Sequence, residues 1–439
     1  MMIPFTIQLL IIGLFSLFHK EKQNIETEKP NIIIIFTDDQ GYADLSSYGA
    51  TEYQTPNIDE LANNGIRFTN FYVPATVCTP SRAALLTGRY PIRANLHEAV
   101  LFPFSKTGLL PEEYTMAEML KDVGYQTACI GKWHLGHLPE FLPTKQGFDY
   151  YFGVPYSNDM DSHYYKSKDF QSPPLPLYEN ETQIESGPDQ RYLTKRLTDS
   201  AIDFIQKRDK STPFFLYLAH VMPHIPLFAS EDFKGKTDYG IYGDVISEID
   251  WNVGRITSYL KEEGLFHNTL IIYTSDNGPH KAKDKGSAKP LRGWKAQTWE
   301  GGQRVPGIIS WPKKIPKKTV ISELVSTLDL MPTLAGFTEA SLPVNKPTDG
   351  RNIDALLLNP SIKLEEFPFY YFSRRGQLEA VRLGKWKLHV AKSLGWDHQS
   401  GDFPISLYDL ESDIGERNNL ASQYPEIVLN LKHFIDTFE

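Results

Sequence analysis

Four short apolar runs, each ending in a polar cluster, restrict this chain more than any other feature. Ile32-Ile-Ile-Ile-Phe36 leads to Asp38-Asp39, and Tyr125-Gln-Thr-Ala-Cys-Ile130 leads to Lys132 and His134. Phe214 to Ala219 leads to His220 and His224, and Leu270-Ile-Ile-Tyr273 leads to Asp276-Asn277. Continuous runs of this kind, rich in Ile, Phe and Tyr, suit strands buried on both faces of a parallel sheet. Helical patterns fall between them, at 57–64, 115–123, 192–207 and 242–263. Strands alternating with helices predict an α/β fold with a large, mostly parallel sheet flanked by helices. Ligands of such sheets bind beyond the carboxyl ends of the strands. All four polar clusters are therefore expected on one rim.

The 439 residues suffice for one large domain and a smaller one. The character of the chain changes near residue 350. Phe367–Phe372, Leu378–Leu383 and Lys385–Val390 read as a meander of short antiparallel strands; Leu407-Tyr-Asp-Leu410 follows, and a final helix starts near Pro425. The expected division is 30–350 for the large domain and 351–439 for a small C-terminal α+β domain. Ser167 to Pro188, polar and rich in proline, reads as a long loop near the substrate. Ile3 to Phe18 is an apolar run too short for a comfortable membrane span. It reads as the core of a secretory signal peptide over residues 1–22, with a periplasmic or secreted mature protein and no stable membrane span. An uncleaved anchor is the alternative, because no Lys or Arg precedes the run and no A-x-A site follows it. A net charge of −9 argues against nucleic acid as a partner.

The most specific string is Cys78-Thr-Pro-Ser-Arg82, followed by Leu86-Thr-Gly88. Pro80 is acceptable at the start of a helix, and Ala83 to Leu86 propagate one well. Cys78 is then expected just before a helix N-terminus, where free N–H groups and the helix dipole favour an anion. A lone cysteine in that setting is ordinarily a small buried residue; the complete string says more. It resembles the formylglycine signature of the type I sulfatases, the family of arylsulfatase A and N-acetylgalactosamine-6-sulfatase. With only Cys78 and Cys129 in the chain, the cysteine usage is bacterial in style and no disulfide is expected.

The resemblance implies an alkaline-phosphatase-like fold with a small C-terminal antiparallel-sheet domain. It also implies that a formylglycine-generating or anaerobic sulfatase-maturating enzyme oxidises Cys78 to formylglycine. The hydrated aldehyde then attacks sulfur in line, and its second hydroxyl expels sulfate. Asp38-Asp39 and Asp276-Asn277 supply only oxygen ligands, which suit calcium or magnesium better than zinc. Taken singly such pairs are common at strand ends. Both match the family's metal-ligand positions, beside the modified Cys78. Gly131-Lys-Trp-His-Leu-Gly136 resembles the string in which the lysine binds sulfate and the histidine bonds the formylglycine hydroxyl, here Lys132 and His134. His224 matches the histidine that contacts sulfate and leaving group, and Lys295 the second sulfate-binding lysine. Arg82, Lys132 and Lys295 are expected to stabilise charge on the oxygens. Ser157 resembles a substrate-side serine.

His220 and His224, four apart, could suggest zinc on a helix, but Pro223 and Pro226 oppose a helix there, and His220 reads as structural. Arg304, in Glu300-Gly-Gly-Gln-Arg304, reads as a backbone-orienting residue. No histidine stands in register before Leu407-Tyr-Asp-Leu410, where arylsulfatase A has one for its substrate. Aryl specificity is therefore not implied. The expected activity is hydrolysis of sulfate monoesters, on a sulfated polysaccharide or oligosaccharide. The rivals are a phosphodiesterase or phosphonate hydrolase of the same superfamily, and a non-catalytic protein that binds sulfated glycans.

Overall fold

A computed structural model describes residues 29–164, 171–281, 286–396 and 403–438. The leader assigned to residues 1–22 lies outside them. Among the described residues no helix is long and apolar enough to cross a membrane. Eleven strands form the large sheet. In chain order they are β1 (Asn31–Thr37), β2 (Gly65–Tyr72), β3 (Gln126–Lys132), β4 (Tyr150–Val154), β5 (Pro176–Glu179) and β6 (Thr182–Ser186). They continue with β7 (Phe214–Ala219), β8 (Thr269–Ser275), β9 (Arg304–Ser310), β10 (Thr319–Ile321) and β11 (Val325–Ser326). The spatial order is β10-β2-β9-β8-β1-β7-β3-β4-β5-β6, with β11 also on β2.

The four apolar runs became β8, β1, β7 and β3, which are neighbours and all parallel. Ile33 on β1 stands between Leu216 on β7 and Ile271 on β8. Ile32, Ile34 and Phe36 pack on one face with Phe215 and Tyr217, while Ile33 and Ile35 pack on the other with Leu216 and Leu218. Both faces are core, so the runs show no alternation of apolar and polar residues. Antiparallel strands extend the sheet at both edges: β9 pairs β8 and β2, and β5 pairs β4 and β6.

Helices cover each face. Residues of α1 (Pro56–Asn63), of a helix at Leu193–Lys207 and of one at Ile241–Glu262 pack on the Ile33 face. Those of α2 (Cys78–Thr87) and α3 (Met116–Asp122) pack on the Ile34 face. The four helices expected from periodicity begin and end within a residue of their forecast limits. The start of α3 shows why: the Thr115 hydroxyl accepts the Glu118 amide at 3.2 Å, and the Glu118 carboxylate accepts the Thr115 amide at 2.7 Å. These two bonds satisfy N–H groups with no helical partner.

The stretch Ser167 to Pro188 departs from expectation. It is not a loop throughout, because β5 and β6 form a hairpin on the edge of the large sheet. Leu175 and Leu177, two apart and both buried, turn one face of this segment inward. Asn180 takes the turn at φ 54°, a left-handed conformation that asparagine tolerates. Too few apolar residues stood among the prolines for the pattern to be read as a strand.

The C-terminal meander is a separate antiparallel sheet of β12 (Phe369–Phe372), β13 (Leu378–Leu383), β14 (Trp386–His389) and β15 (Ser406–Asp409). A helix at Pro425–Asp436 sets Leu431 against Val381, Leu388 and Leu407 of this sheet. Tyr72 at the end of β2 packs with Phe369 and Tyr371, which joins the two sheets.

Candidate active site

Cys78 was expected just ahead of a helix; it is the first residue of α2, with Val77 as the extended N-cap. Pro80 then falls at the third helical position. Its missing N–H is still among the first four, which have no intrahelical acceptor, so proline is tolerated there. Gly88 ends the helix at φ 66° and donates its N–H to the Ala84 carbonyl at 2.9 Å. Every residue of α2 is buried. Cys78 and Cys129 are both free and both buried.

The carboxyl ends of β1, β3, β7 and β8 bring their polar residues to this thiol. Asp38 Oδ1 lies 3.5 Å from Cys78 Sγ, and Lys295 Nζ lies 3.5 Å from the same sulfur. Lys132 Nζ donates to Asp38 Oδ2 at 2.5 Å and to Ser157 Oγ at 3.2 Å. Lys295 Nζ sits 2.7 Å from Asp39 Oδ1, and the Asn277 amide donates to that oxygen, also at 2.7 Å. Arg82 donates to Asp276 Oδ2 at 2.8 Å and to the Lys132 carbonyl at 3.0 Å. Asp39 occupies the left-handed region at φ 64°, and its N–H donates to Asp276 Oδ1 at 3.1 Å. This strained backbone turns two consecutive carboxylates toward one point.

Three carboxylates thus face three cations, all of them buried. Burial pushes the Asp38 and Asp39 carboxyls upward, but Lys132 beside Asp38 and Lys295 beside Asp39 hold them below the usual range, helped by His224. Asp276 goes the other way: burial and the nearby Asp38 charge raise it despite Arg82. Burial also drives the Cys78 thiol well up, reinforced by Asp276. One sign of a cation site is Asn277 Oδ1, which is buried and has no hydrogen-bond partner. Ligand atoms of Asp38, Asp39, Cys78 and His224 lie within 4.8 Å of one another. Asp276, which accepts the Asp39 N–H, and Asn277, which bonds Asp39 Oδ1, add further oxygen donors beside them, and the combined group fits a hard divalent cation.

Two histidines border the cluster. His134, at φ 59°, points Nε2 at the Leu101 carbonyl, 2.9 Å away. A carbonyl only accepts, so Nε2 carries the proton. Nδ1 is then a buried lone pair, and it has no partner. Burial and the Lys132 and Arg82 charges push this imidazole far below its usual pKa, so it is neutral. His224 likewise gives its Nδ1–H to the Ile225 carbonyl at 2.5 Å, which leaves Nε2 facing Asp39 Oδ2 at 3.6 Å. Ser157 Oγ is 3.5 Å from His224 Nδ1. His220 is fully buried with both ring nitrogens unpartnered, and burial pushes its pKa down to about 4. The segment from His220 to His224 is not helical, so the two histidines form no helical zinc pair.

Asp38, Asp39, Cys78, Arg82, Lys132, Ser157, His224, Asp276, Asn277 and Lys295 are brought together here, and His134 stands at the border with its ring on the Leu101 carbonyl. Arg304 is not among them: its contacts are the Thr69 carbonyl at 2.7 Å, Glu300 and the Tyr42 ring. What the sequence concealed is the clamp on the segment that carries Lys295. Lys387, on β14, donates to the Thr298 carbonyl at 2.9 Å and to Glu300 at 3.0 Å, and pairs with Glu416 at 2.9 Å. Thr298 gives its hydroxyl to Glu379 at 2.7 Å, and the Glu300 N–H goes to Glu416 at 2.8 Å. The small sheet therefore fixes the strap that carries Lys295. Thr79 was also missed. Its hydroxyl donates to the His134 carbonyl at 2.8 Å and accepts the Leu101 N–H at 3.1 Å.

The sulfatase family model matches residues 30–340. The chain is 40% identical to arylsulfatase A from Homo sapiens, across 92% of this chain and 86% of that one. It is 38% identical to N-acetylgalactosamine-6-sulfatase from Sus scrofa, across 82% and 72%. Among solved structures, Ps i-CgsB in complex with k-i-k-neocarrahexaose superposes with a TM-score of 0.83 at 32% identity, covering 93% of this chain and 92% of that one.

Proposed function

This chain belongs to the sulfatase family and hydrolyses sulfate esters, and on that footing we propose that it acts on a sulfated carbohydrate, through Cys78 matured to formylglycine and a divalent cation held beside it. Sulfate-ester hydrolysis displaces both the phosphonate hydrolase and the non-catalytic reading. One observation carries the proposal: the buried cluster that gathers three carboxylates, Lys132 and two histidines from adjacent strand ends around Cys78 at the start of α2 and Lys295 on its strap.

Asp38, Asp39, Asp276 and Asn277, with residue 78, would hold calcium or magnesium. The cation supplies positive charge for the reacting oxygens, and formylglycine supplies the nucleophilic hydroxyl. The remaining work falls to side chains. Lys132 and Lys295 bind sulfate oxygens and stabilise charge that develops on them. Arg82 adds its fixed charge and holds Asp276 and the Lys132 backbone in place. His134 Nδ1 accepts a hydrogen bond from residue 78, since its other nitrogen is committed to Leu101. His224 acts as the imidazolium: its Nδ1–H stays on the Ile225 carbonyl, and its Nε2–H is the proton given to the departing oxygen. Ser157 orients Lys132 on the substrate side.

The carbohydrate assignment is supported by the oligosaccharide bound to the similar Ps i-CgsB. The test is a panel of hexose and hexosamine monosaccharides sulfated at each position in turn. At least one is turned over with a higher kcat/KM than 4-nitrophenyl sulfate; a preference for the aryl ester over all of them overturns the assignment. For the metal, a chelator abolishes activity, and calcium or magnesium restores it. Elemental analysis finds about one such ion per chain, whereas stoichiometric zinc in their place contradicts the oxygen-donor site. The apolar run from Ile3 to Phe18 supports export, so the mature protein belongs in the periplasm or outside the cell. Unprocessed chain in the soluble cytoplasm of its native host would refute this.

A further inference from the structure

The segments that carry Lys132, His134 and Ser157 also wall a second space. A cavity of about 290 Å³ is lined by His137, Tyr156, Tyr178, Gln183, Ser186 and five proline residues. Each wall is tied to the active site. The His134 N–H donates to the Pro155 carbonyl at 3.1 Å, next to Tyr156. His134 Nε2 holds the Leu101 carbonyl, two residues before the lining residue Pro103. Tyr178 on β5 is opposite Gly153 of β4, which is opposite Gly131, the residue before Lys132. The hairpin of β5 and β6 thus forms the outer wall of a space beside the segments that carry Lys132, His134 and Ser157.

Size, stiffness and chemistry point to one kind of occupant. Ligand pockets run from about 300 to 1,000 Å³, so this one suits a single ring and not a chain of them. Proline walls have little side-chain freedom, so the shape exists before binding. The His137 and Tyr156 rings meet edge to face with centroids 6.0 Å apart. Aromatic and proline surfaces suit the C–H face of a sugar ring, and Gln183, Ser186, His137 and the Tyr178 hydroxyl suit its hydroxyls. Among the described residues that line it there is no Lys, Arg, Asp or Glu. Burial lowers the pKa of His137, so it offers a neutral imidazole. Unlike the lysines around Cys78, these described lining residues carry no fixed charge that would neutralise a second sulfate or a uronate.

We propose that this cavity is the subsite for the sugar next to the sulfated one, and that it selects a neutral, unsulfated ring. This rests on the carbohydrate reading above. The probe is whichever hexose sulfate of the panel is turned over fastest, in three forms: free, joined to an unsubstituted hexose, and joined to a sulfated hexose. The neutral neighbour raises kcat/KM about tenfold over the free sugar, and the sulfated neighbour does not. In Tyr178→Ala and in Gln183→Ala, the ratio of kcat/KM for the neutral disaccharide over the monosaccharide falls toward one. Because it is a ratio, a general loss of folded protein does not move it. Equal use of neutral and sulfated neighbours, no gain from either, or a ratio unchanged in both variants overturns the subsite while turnover of the hexose sulfate upholds the carbohydrate reading. If no hexose sulfate is turned over, that reading falls and the subsite falls with it.

Discussion

Cys78→Ala loses turnover of every sulfate ester by roughly 10⁴-fold or more, the scale seen when a covalent nucleophile is removed. Its melting temperature stays within about 5 °C of the unmodified chain, because only one buried sulfur is deleted. The peptide spanning Cys78, taken from active protein and read by mass spectrometry, carries an aldehyde in place of the thiol. Activity then scales with the aldehyde fraction across preparations from hosts with and without the maturation enzyme. Cys78→Ser is inactive wherever the host leaves that serine unoxidised, since a plain sulfate ester has no second hydroxyl with which to expel sulfate. Full activity from protein whose Cys78 is entirely thiol would sink the mechanism.

His224→Ala separates substrates by the basicity of their leaving groups. A sugar alkoxide needs a proton as the S–O bond breaks, whereas a nitrophenolate leaves with little help. The variant therefore loses roughly 10²–10⁴-fold on a hexose sulfate, the usual range for acid catalysis, and distinctly less on 4-nitrophenyl sulfate. The basis is the hydrogen bond from Nδ1 to Ile225, which leaves Nε2 for the substrate. Equal losses on both substrates would make His224 a sulfate-binding residue instead. Little loss on either moves the acid to His134 or Lys295.

Much of this was legible in the chain. Asp38-Asp39, the Lys132 and His134 string, His224 and Asp276-Asn277 each follow an apolar run closely, and parallel strands leave their carboxyl ends on one rim. Local sequence was sufficient because each cluster needs only its own strand to carry it there. The clamp on the Lys295 strap was illegible for the opposite reason. Glu300 meets Lys387 across 87 positions and Glu416 across 116, and no local pattern marks such a meeting. The hairpin of β5 and β6 stayed hidden because prolines and polar residues outnumber its few inward leucines. The start of α2 was placed late because Pro80 was read as the first helical residue, although any of the first positions accommodates it.

The burial of α2 sets an order of events. Its ten residues are all buried, and Cys78 exposes 1% of its surface. An enzyme that must oxidise that side chain cannot reach it in the folded molecule. If Cys78 is matured as proposed, oxidation therefore runs in a race against folding, and the outcome is recorded once per chain. A molecule that collapses first keeps its thiol for life, stable and inert. Overproduction that outpaces the maturation enzyme lowers specific activity without any loss of folded protein.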